Sequence, residues 1–221
     1  MFNFSRRHLS ALLVGVSLAS FSAAALSEET VKVAIKSSKG EIVVELYPEK
    51  APKTVENFLR YVKAGHYNNT IFHRVIDNFM IQGGGLDKNM KEKPTNKPIP
   101  LEASYALERG LKNDIGTIAM ARTNDPNSAK AQFFINVNDN VFLNHQVLPE
   151  GNPVQFSRNG EVVTAPREQA LLATAGYTPF GKVISGMDVV EKIKIVQTGS
   201  SGMMQNVPNE AITIESIKLL K

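Results

Sequence analysis

Two short stretches early in the chain carry apolar side chains at every second position. They are VKVAIKS, which starts at residue 31, and EIVVELY, which starts at residue 41, with a Ser-Lys-Gly turn signal between them. A period of two is typical of strands with one buried face, because successive side chains of a strand point to opposite sides. The two stretches therefore predict a first β-hairpin.

The segment after this hairpin changes to a helical period. Val55, Phe58, Leu59 and Val62 recur at intervals of three and four residues, which places them along one side of a helix. Pro52 lies in the first turn, where a proline is well tolerated because the N–H that it lacks would be unpaired there. The pattern predicts an amphipathic α-helix.

Strand patterns dominate the remainder of the chain. Further strands are predicted at 71–76, 78–82, 116–121, 132–137, 177–184 and 210–220. A short second helix is predicted at 185–196, and a change of parity in the last strand predicts a β-bulge near Glu215. Because strands outnumber helices and no βαβ alternation occurs, the pattern indicates a mainly β fold. We expect a closed eight-stranded antiparallel barrel capped by two α-helices.

One segment, 144–176, interrupts the succession of strands with 33 residues. An ordinary connection is much shorter. Within it, Asn159-Gly160 between VQFSR and EVVTA predicts a two-residue hairpin, and REQALLATAG predicts a short helix that ends at Gly176. We expect this segment to be an insertion within a single domain at 26–221.

The first 25 residues have the pattern of a secretory signal peptide. A basic start at 6–8 precedes an apolar run at 9–21 and three small residues at 23–25. A membrane anchor is the alternative, but the apolar run is shorter than the roughly 20 residues that a spanning helix needs. SRRHL also resembles a twin-arginine signal, so both export routes stay open. We expect cleavage near Ala25 and a periplasmic mature protein, with secretion as the alternative.

Charge and cysteine content narrow the range of partners and reactions. The formal net charge is +4, and without Arg6 and Arg7 it falls to +2, with 23 basic against 21 acidic residues. This balance does not favour nucleic acid or, after signal cleavage, a membrane surface as a partner. The chain contains no cysteine, which excludes disulfides and thiolate catalysis.

The stretch FHRVIDNFMIQGGG, at 72–85, combines a cation, apolar side chains and an amide without a nucleophile or an acidic pair. Taken singly, Arg74 is typical of a solvated charge, Met80 of core filler and Phe134 of a partly buried barrel residue. No nucleophile elbow, phosphate-binding loop or zinc-protease motif is present. The three histidines beyond the signal segment lack metal-ligand spacing, so we expect no metal or cofactor: His66, His73 and His145.

Three longer motifs, taken together, change this interpretation. FHRVIDNFMIQGG, GTIAMARTNDPNSAKAQFFI and FGKVISGMDVVEKI resemble the cyclophilin family of peptidyl-prolyl cis-trans isomerases, above all its exported bacterial members. The resemblance runs in order from about Val31 to Leu220 and skips only the insertion. It implies an eight-stranded barrel with two capping helices that rotates the peptide bond preceding proline.

The resemblance also assigns residues to the site. The family's catalytic arginine falls on Arg74, and the glutamine that hydrogen-bonds the substrate backbone falls on Gln82. The pocket for the proline ring falls on Phe79, Met80, Phe134 and Leu143. The rest of the groove falls on Ala121, Arg122, Gln132, Phe142 and Tyr177, with Arg122 contributing mainly its backbone.

Three positions depart from the family's usual pattern. Phe142 stands where many members have tryptophan, Tyr177 where a histidine is common, and Ala131 where a serine is usual. We expect these changes to weaken cyclosporin binding and not to remove isomerase activity.

The sequence thus predicts a monomeric, cofactor-free isomerase that acts on proline-containing segments of unfolded or exported proteins and assists their folding. A non-catalytic module or chaperone that holds such segments on the same barrel is the alternative. Another barrel enzyme, such as a hydrolase, is disfavoured by the missing nucleophile, metal ligands and acidic pair. The insertion is either a surface elaboration or a selectivity element at the rim of the groove.

Overall fold

The computed structural model describes residues 30–158 and 160–220, and β-strands are its commonest regular element. In chain order these strands are β1 (Val31–Ser37), β2 (Gly40–Leu46), β3 (Thr70–Ile76), β4 (Met80–Asp87), β5 (Thr117–Met120), β6 (Phe133–Asn136), β7 (Val154–Arg158), β8 (Glu161–Ala165), β9 (Pro179–Ser185), β10 (Thr198–Ser201), β11 (Met204–Pro208) and β12 (Ile212–Leu219). The predicted signal peptide, 1–25, lies outside the described residues.

Eight of these strands close into an antiparallel barrel in the order β1-β12-β3-β4-β6-β5-β9-β2. This confirms the predicted architecture. The bulge in β12 is confirmed as well, because Lys36 pairs with Ser216 while Ser37 pairs with Ile214, which leaves Glu215 as the extra residue. The bulge lets apolar residues of opposite parity, Ile214 and Ile217, both face the core, where both are buried.

Four α-helices accompany the strands in the described part of the chain: α1 (Pro52–Lys63), α2 (Ala103–Glu108), α3 (Arg167–Ala173) and α4 (Met187–Lys194). The two predicted capping helices are α1 and α4, which pack against the barrel. Helix α2 was not predicted, because it has six residues and buries only Ala103 and Ala106, too few for a visible stripe. The exposed β10–β11 hairpin was not predicted either, because it has almost no apolar alternation.

The barrel interior holds the main hydrophobic core. Phe58 of α1 packs against three aromatic rings at centroid distances of 5.1, 5.7 and 5.2 Å, those of Tyr67, Phe133 and Phe180. Such buried aromatic side chains supply much of the apolar area removed from water on folding. Alternate residues of β4 and β6 take part: Ile81, Phe133 and Ile135 are fully buried in this core. Their neighbours along each strand must therefore point out of the barrel.

The insertion folds on the outside of the barrel around a core of its own. Its strands β7 and β8 pair from Val154 with Ala165 to Arg158 with Glu161, which confirms the predicted hairpin, although Asn159 itself lies outside the described residues. The predicted helix is α3, and Ala170 packs with Val154 and Phe156 beneath it. No helix among residues 30–158 and 160–220 is long and apolar enough to cross a membrane.

Candidate active site

A second apolar cluster lies on the outer face of the barrel. Met80 pairs with Asn136 and Gln82 with Phe134 across β4 and β6, so these side chains alternate with the core residues and point outward. The cluster, which we call the outer pocket, comprises Met80, Ala119, Phe134 and Leu143 with Ile76, Phe79, Ala121 and Tyr177 packed against them. An apolar pocket on the outside of a barrel suits the binding of a small apolar group from solution.

A bulge in β3 brings Arg74 to this outer face. Phe72 pairs with Gly83 and Arg74 with Gln82, so His73 is an extra residue in β3. Without it, Phe72 and Arg74 would point to the same side of the strand. With it, Phe72 is fully buried in the barrel core and Arg74 is half-buried beside the outer pocket.

Arg74, Gln82 and Gln132 form a hydrogen-bonded row along one edge of the outer pocket. Arg74 Nη1 donates to Gln82 Oε1 over 3.4 Å, and Gln82 Nε2 donates to Gln132 Oε1 over 3.0 Å. Gly85 makes room for this row, since a Cβ at that position would lie 2.3 Å from Cγ of Gln132. The bond from Arg74 is long and therefore weak. It orients the guanidinium and leaves its other N–H groups available. Among the described residues it is the one hydrogen bond that this guanidinium donates, which leaves donors for a ligand.

His73 adds no charge to the site near neutral pH. Its side chain is 6% exposed, and this burial lowers the pKa of His73 to about 4, with the nearby charge of Arg74 acting in the same direction. Arginine stays charged throughout the accessible pH range. The positive charge on this side of the pocket therefore comes from the guanidinium of Arg74 and not from His73.

The opposite wall of the outer pocket is aromatic. Tyr177 meets Phe134 edge to face, with centroids 5.7 Å apart at 80°. Phe142 lies at the rim, 57% exposed, and stacks on Phe79 at 5.6 Å and 29°. These rings give the pocket a rigid apolar floor and rim.

Arg122 holds the Tyr177 wall in place with its side chain. Its guanidinium carbon lies 4.4 Å from the centroid of the Tyr177 ring, and its Nε donates to the carbonyl of Gly176 over 2.9 Å. Its Nη1 donates to the carbonyl of Thr123 over 2.8 Å. The structure thus gives the Arg122 side chain a contact with the pocket wall, and the expected contribution of its backbone to substrate binding stays a prediction.

Ala121 and Gln132 border a second cavity, of about 180 Å³, beside the Arg74 row. Gln82 and Arg122 also line it, together with polar residues of the loop at 122–132. All ten residues predicted to bind substrate, together with Arg74, thus lie on one continuous outer surface around the outer pocket.

A network of buried asparagines lies behind the pocket and was not predicted from the sequence. Asn113 Nδ2 donates to the carbonyls of Leu143 and Tyr177, each over 3.2 Å, and Asn140 Nδ2 donates to the carbonyl of Phe79 over 2.7 Å. Asn136 connects the two through bonds of 3.3 Å to Asn113 and 2.7 Å to Asn140. The network therefore fixes the backbone of three pocket residues. The one signal in the sequence is the position of Asn136, a polar residue in an otherwise apolar strand.

The described residues offer this site no metal-binding group, since no cluster of three or more His, Asp or Glu side chains occurs among them. What the site presents is a cation, two amides and an apolar pocket. Such a set can hold a peptide and favour one charge distribution, and it contains no nucleophile with which to cleave a bond.

Comparison with known proteins places this arrangement in a family. The family described as "Cyclophilin type peptidyl-prolyl cis-trans isomerase/CLD" matches residues 30–219. The peptidyl-prolyl cis-trans isomerase cyp18 of Streptomyces antibioticus is 51% identical over 188 residues, which cover 85% of this chain and 98% of that protein. Peptidyl-prolyl cis-trans isomerase B of Escherichia coli is 51% identical over 185 residues, 84% of this chain and 97% of that protein.

One further relative matches almost the whole chain, and a solved structure has the same fold. Peptidyl-prolyl cis-trans isomerase A of Dickeya dadantii is 43% identical over 217 residues, 98% of this chain and 99% of that protein. A Cryptosporidium parvum cyclophilin type isomerase, at 24% identity, has the same fold, with a TM-score of 0.61 over 87% of this chain and 99% of that chain. Its structure was also solved in the presence of the dipeptide Ala-Pro. The protein described here therefore belongs to the cyclophilin-type peptidyl-prolyl cis-trans isomerases and is an enzyme of that class.

Proposed function

We propose that Arg74 is the catalytic residue of this isomerase, that the outer pocket binds the proline ring, and that Gln82 holds the substrate backbone. The observation that carries this proposal is the pairing of Arg74 with Gln82 across β3 and β4, directly beside the buried cluster around Met80 and Phe134. A charge, an amide and an apolar pocket thus face the same volume.

The reaction needs no bond cleavage. Its barrier is the partial double-bond character of the amide, about 18–20 kcal/mol for a peptide bond, and uncatalysed rotation before proline takes tens to hundreds of seconds. Reaching roughly 1,000 turnovers per second requires a lowering of the barrier by about 7 kcal/mol. An enzyme can supply this by binding the twisted amide more tightly than either planar form.

Arg74 is suited to stabilise the twisted amide. When the amide loses its resonance, the proline nitrogen becomes pyramidal and regains a lone pair that can accept a hydrogen bond. A guanidinium N–H directed at that nitrogen interacts with the transition state and only weakly with the planar ground state. Because the guanidinium of Arg74 is only loosely hydrogen-bonded to Gln82, it can supply this donor.

The remaining groups hold one side of the bond still while the other side turns. The outer pocket encloses the ring, and Gln82, itself oriented by Gln132, can bond to the substrate backbone. Fixing the substrate in this way lowers the entropic part of the barrier.

The test is the Arg74→Ala substitution. We expect turnover of a proline peptide to fall by about two to three powers of ten, the usual loss when a transition-state donor is removed. The melting temperature should change little, because the side chain is half-buried and its hydrogen bond is long. Arg109→Ala, which removes an arginine that stacks on Tyr105 away from the site, is the matched control. Full activity in folded Arg74→Ala would refute this assignment.

We propose further that the enzyme is exported to the periplasm and assists the folding of exported proteins there as a monomer. The support is the basic-then-apolar pattern of the first 25 residues. Expression in a Gram-negative host, followed by fractionation and N-terminal sequencing, should give a periplasmic protein that begins near residue 26. Size-exclusion chromatography should give the mass of one chain. A full-length protein confined to the cytoplasm would contradict the proposal of export.

A further inference from the structure

A cleft separates the insertion from the rim of the outer pocket. One wall is formed by rim residues, including Phe142, Leu143 and Tyr177, and the other by the insertion, including Arg158, Gln169 and Leu172. Its volume is about 530 Å³, larger than the 180 Å³ cavity beside Gln132. We call this space the insertion cleft.

The insertion cleft is continuous with the proposed proline site. Leu143 and Tyr177 belong to the outer pocket and also line the cleft, and Phe142 forms the rim between the two spaces. The substrate is a polypeptide, so the chain must leave the pocket on either side of the proline. An extended chain advances about 3.3 Å per residue. A residue within about three positions of the proline therefore reaches the cleft.

The walls of the cleft are held in place before any ligand arrives. Arg122 joins the barrel to the end of the insertion through its bond to Gly176, and Gln146 N donates to the carbonyl of Thr174 over 3.0 Å. Beneath the hairpin and α3, the insertion has its own buried cluster around Phe156. A preformed wall costs little ordering entropy when a ligand binds.

The charge of the cleft favours an acidic side chain. Among the described residues, the charged ones that line the cleft are Arg122 and Arg158, one on each wall, and none of the lining residues is acidic. The ion pairs among the described residues do not include Arg158, which is exposed on β7. Glu161 pairs with Arg158 across the hairpin backbone but is not part of the lining. Half-exposed Leu172 adds an apolar surface on the same wall.

We propose that the insertion cleft is an accessory substrate subsite, which binds an acidic side chain located within about three residues of the isomerised proline. This inference rests on the assignment of the outer pocket as the proline site. The insertion thereby gives this isomerase a preference among proline-containing segments that the barrel alone does not provide.

The test compares short blocked peptides with a single proline and with Glu, Gln or Lys at each of the three positions before and after it. Isomerisation is measured by NMR exchange spectroscopy, which avoids a coupling protease with preferences of its own. At one or two positions we expect kcat/KM for the Glu peptide to exceed that for the Lys peptide by about two- to five-fold, the range of an exposed ion pair. The ratio should fall toward one at high salt.

Substitutions then identify the residues that cause the preference for Glu over Lys peptides. Arg158→Gln should lower the Glu-to-Lys ratio and Arg158→Glu should invert it, while the rate on the Gln peptide stays within about two-fold of the parent. Lys218→Gln, at an exposed position on β12, is the charge-matched control and should leave the ratio unchanged. Replacement of 146–175 by a short Gly-Ser linker should bring the Glu-to-Lys ratio to one. Turnover of the Gln peptide should stay within a few-fold of the parent.

Two results would overturn the proposal. One is equal rates for the Glu and Lys peptides at every position, and the other is a preference that survives Arg158→Glu. Either result leaves the rate on the Gln peptide as a separate measure of the catalytic assignment. Loss of that rate in Arg74→Ala, together with no charge preference, would refute the subsite alone.

Discussion

Substitution of Asn113 by alanine tests how the pocket is held in shape. Asn113 is completely buried, and its Nδ2 donates to the carbonyls of Leu143 and Tyr177 at the two ends of the insertion. It also accepts a bond from Asn136 and approaches Asn144 Oδ1 at 3.2 Å. Alanine removes these bonds and leaves the carbonyl of Tyr177 without another partner among the described residues, while the carbonyl of Leu143 keeps its bond from Tyr177 N.

The size of the stability loss follows from the hydrogen bonds that the substitution removes. A buried polar atom left unpaired costs about 1–3 kcal/mol, but some of these atoms keep a second partner. We therefore expect the free energy of unfolding to fall by about 3 kcal/mol. For a domain of this size, about 2–4 °C are lost per kcal/mol, so the melting temperature should fall by about 6–12 °C.

The same substitution should weaken substrate binding. Leu143 and Tyr177 line the outer pocket, so a looser backbone at both residues should raise KM more than it lowers kcat, with kcat/KM reduced by about ten-fold. Thermal melting and NMR exchange on one proline peptide measure both effects. Asn89→Ala, in an exposed turn, is the control. A melting temperature within 2 °C of the parent, with unchanged KM, would refute this account of the network.

Three further predictions concern the pH dependence of activity, the pH dependence of stability and the binding of an inhibitor. Activity should be nearly constant between about pH 6 and 8, because Arg74 stays charged and the pKa of His73 lies at about 4, below this range. A bell-shaped profile that persists in His73→Ala would show that the mechanism is incomplete. Stability should depend on pH at lower values. In the unfolded chain His73 takes up a proton near its ordinary pKa of 6.5, whereas in the folded protein it does so only near 4, so the unfolded state binds more protons between these values. The free energy of unfolding should therefore fall as the pH drops from about 6.5 to 4, by up to about 3 kcal/mol, and His73→Gln should reduce this loss in denaturant titrations. If the free energy of unfolding of His73→Gln falls by the same amount, other groups cause the pH dependence. Finally, cyclosporin should bind weakly, and Phe142→Trp should tighten binding several-fold, because an indole N–H at the exposed rim adds a hydrogen-bond donor. Equal inhibition of both proteins in a titration would show that the rim residue does not decide affinity.

The sequence alone determined the elements whose patterns are local. Strand patterns with turn signals predicted all eight barrel strands, the stripe around Phe58 predicted α1, and the parity change predicted the bulge at Glu215. Asn-Gly between two short strands predicted the hairpin of the insertion. These signals succeed because the period of a strand or helix is expressed within a few consecutive residues. The family resemblance named residues that the structure brings onto one surface, and their individual roles stay predictions.

The tertiary structure decided the features that depend on distant partners. Nothing local marks His73 as a bulge residue, since the bulge exists only in register with β4. The bond from Asn113 to Tyr177 and the contact of Arg122 with Tyr177 join positions 64 and 55 residues apart in the chain. The insertion cleft appears only when the hairpin that carries Arg158 folds beside the rim of the pocket. A polar side chain in a sequence can be solvated or buried with a partner, and only packing decides between the two.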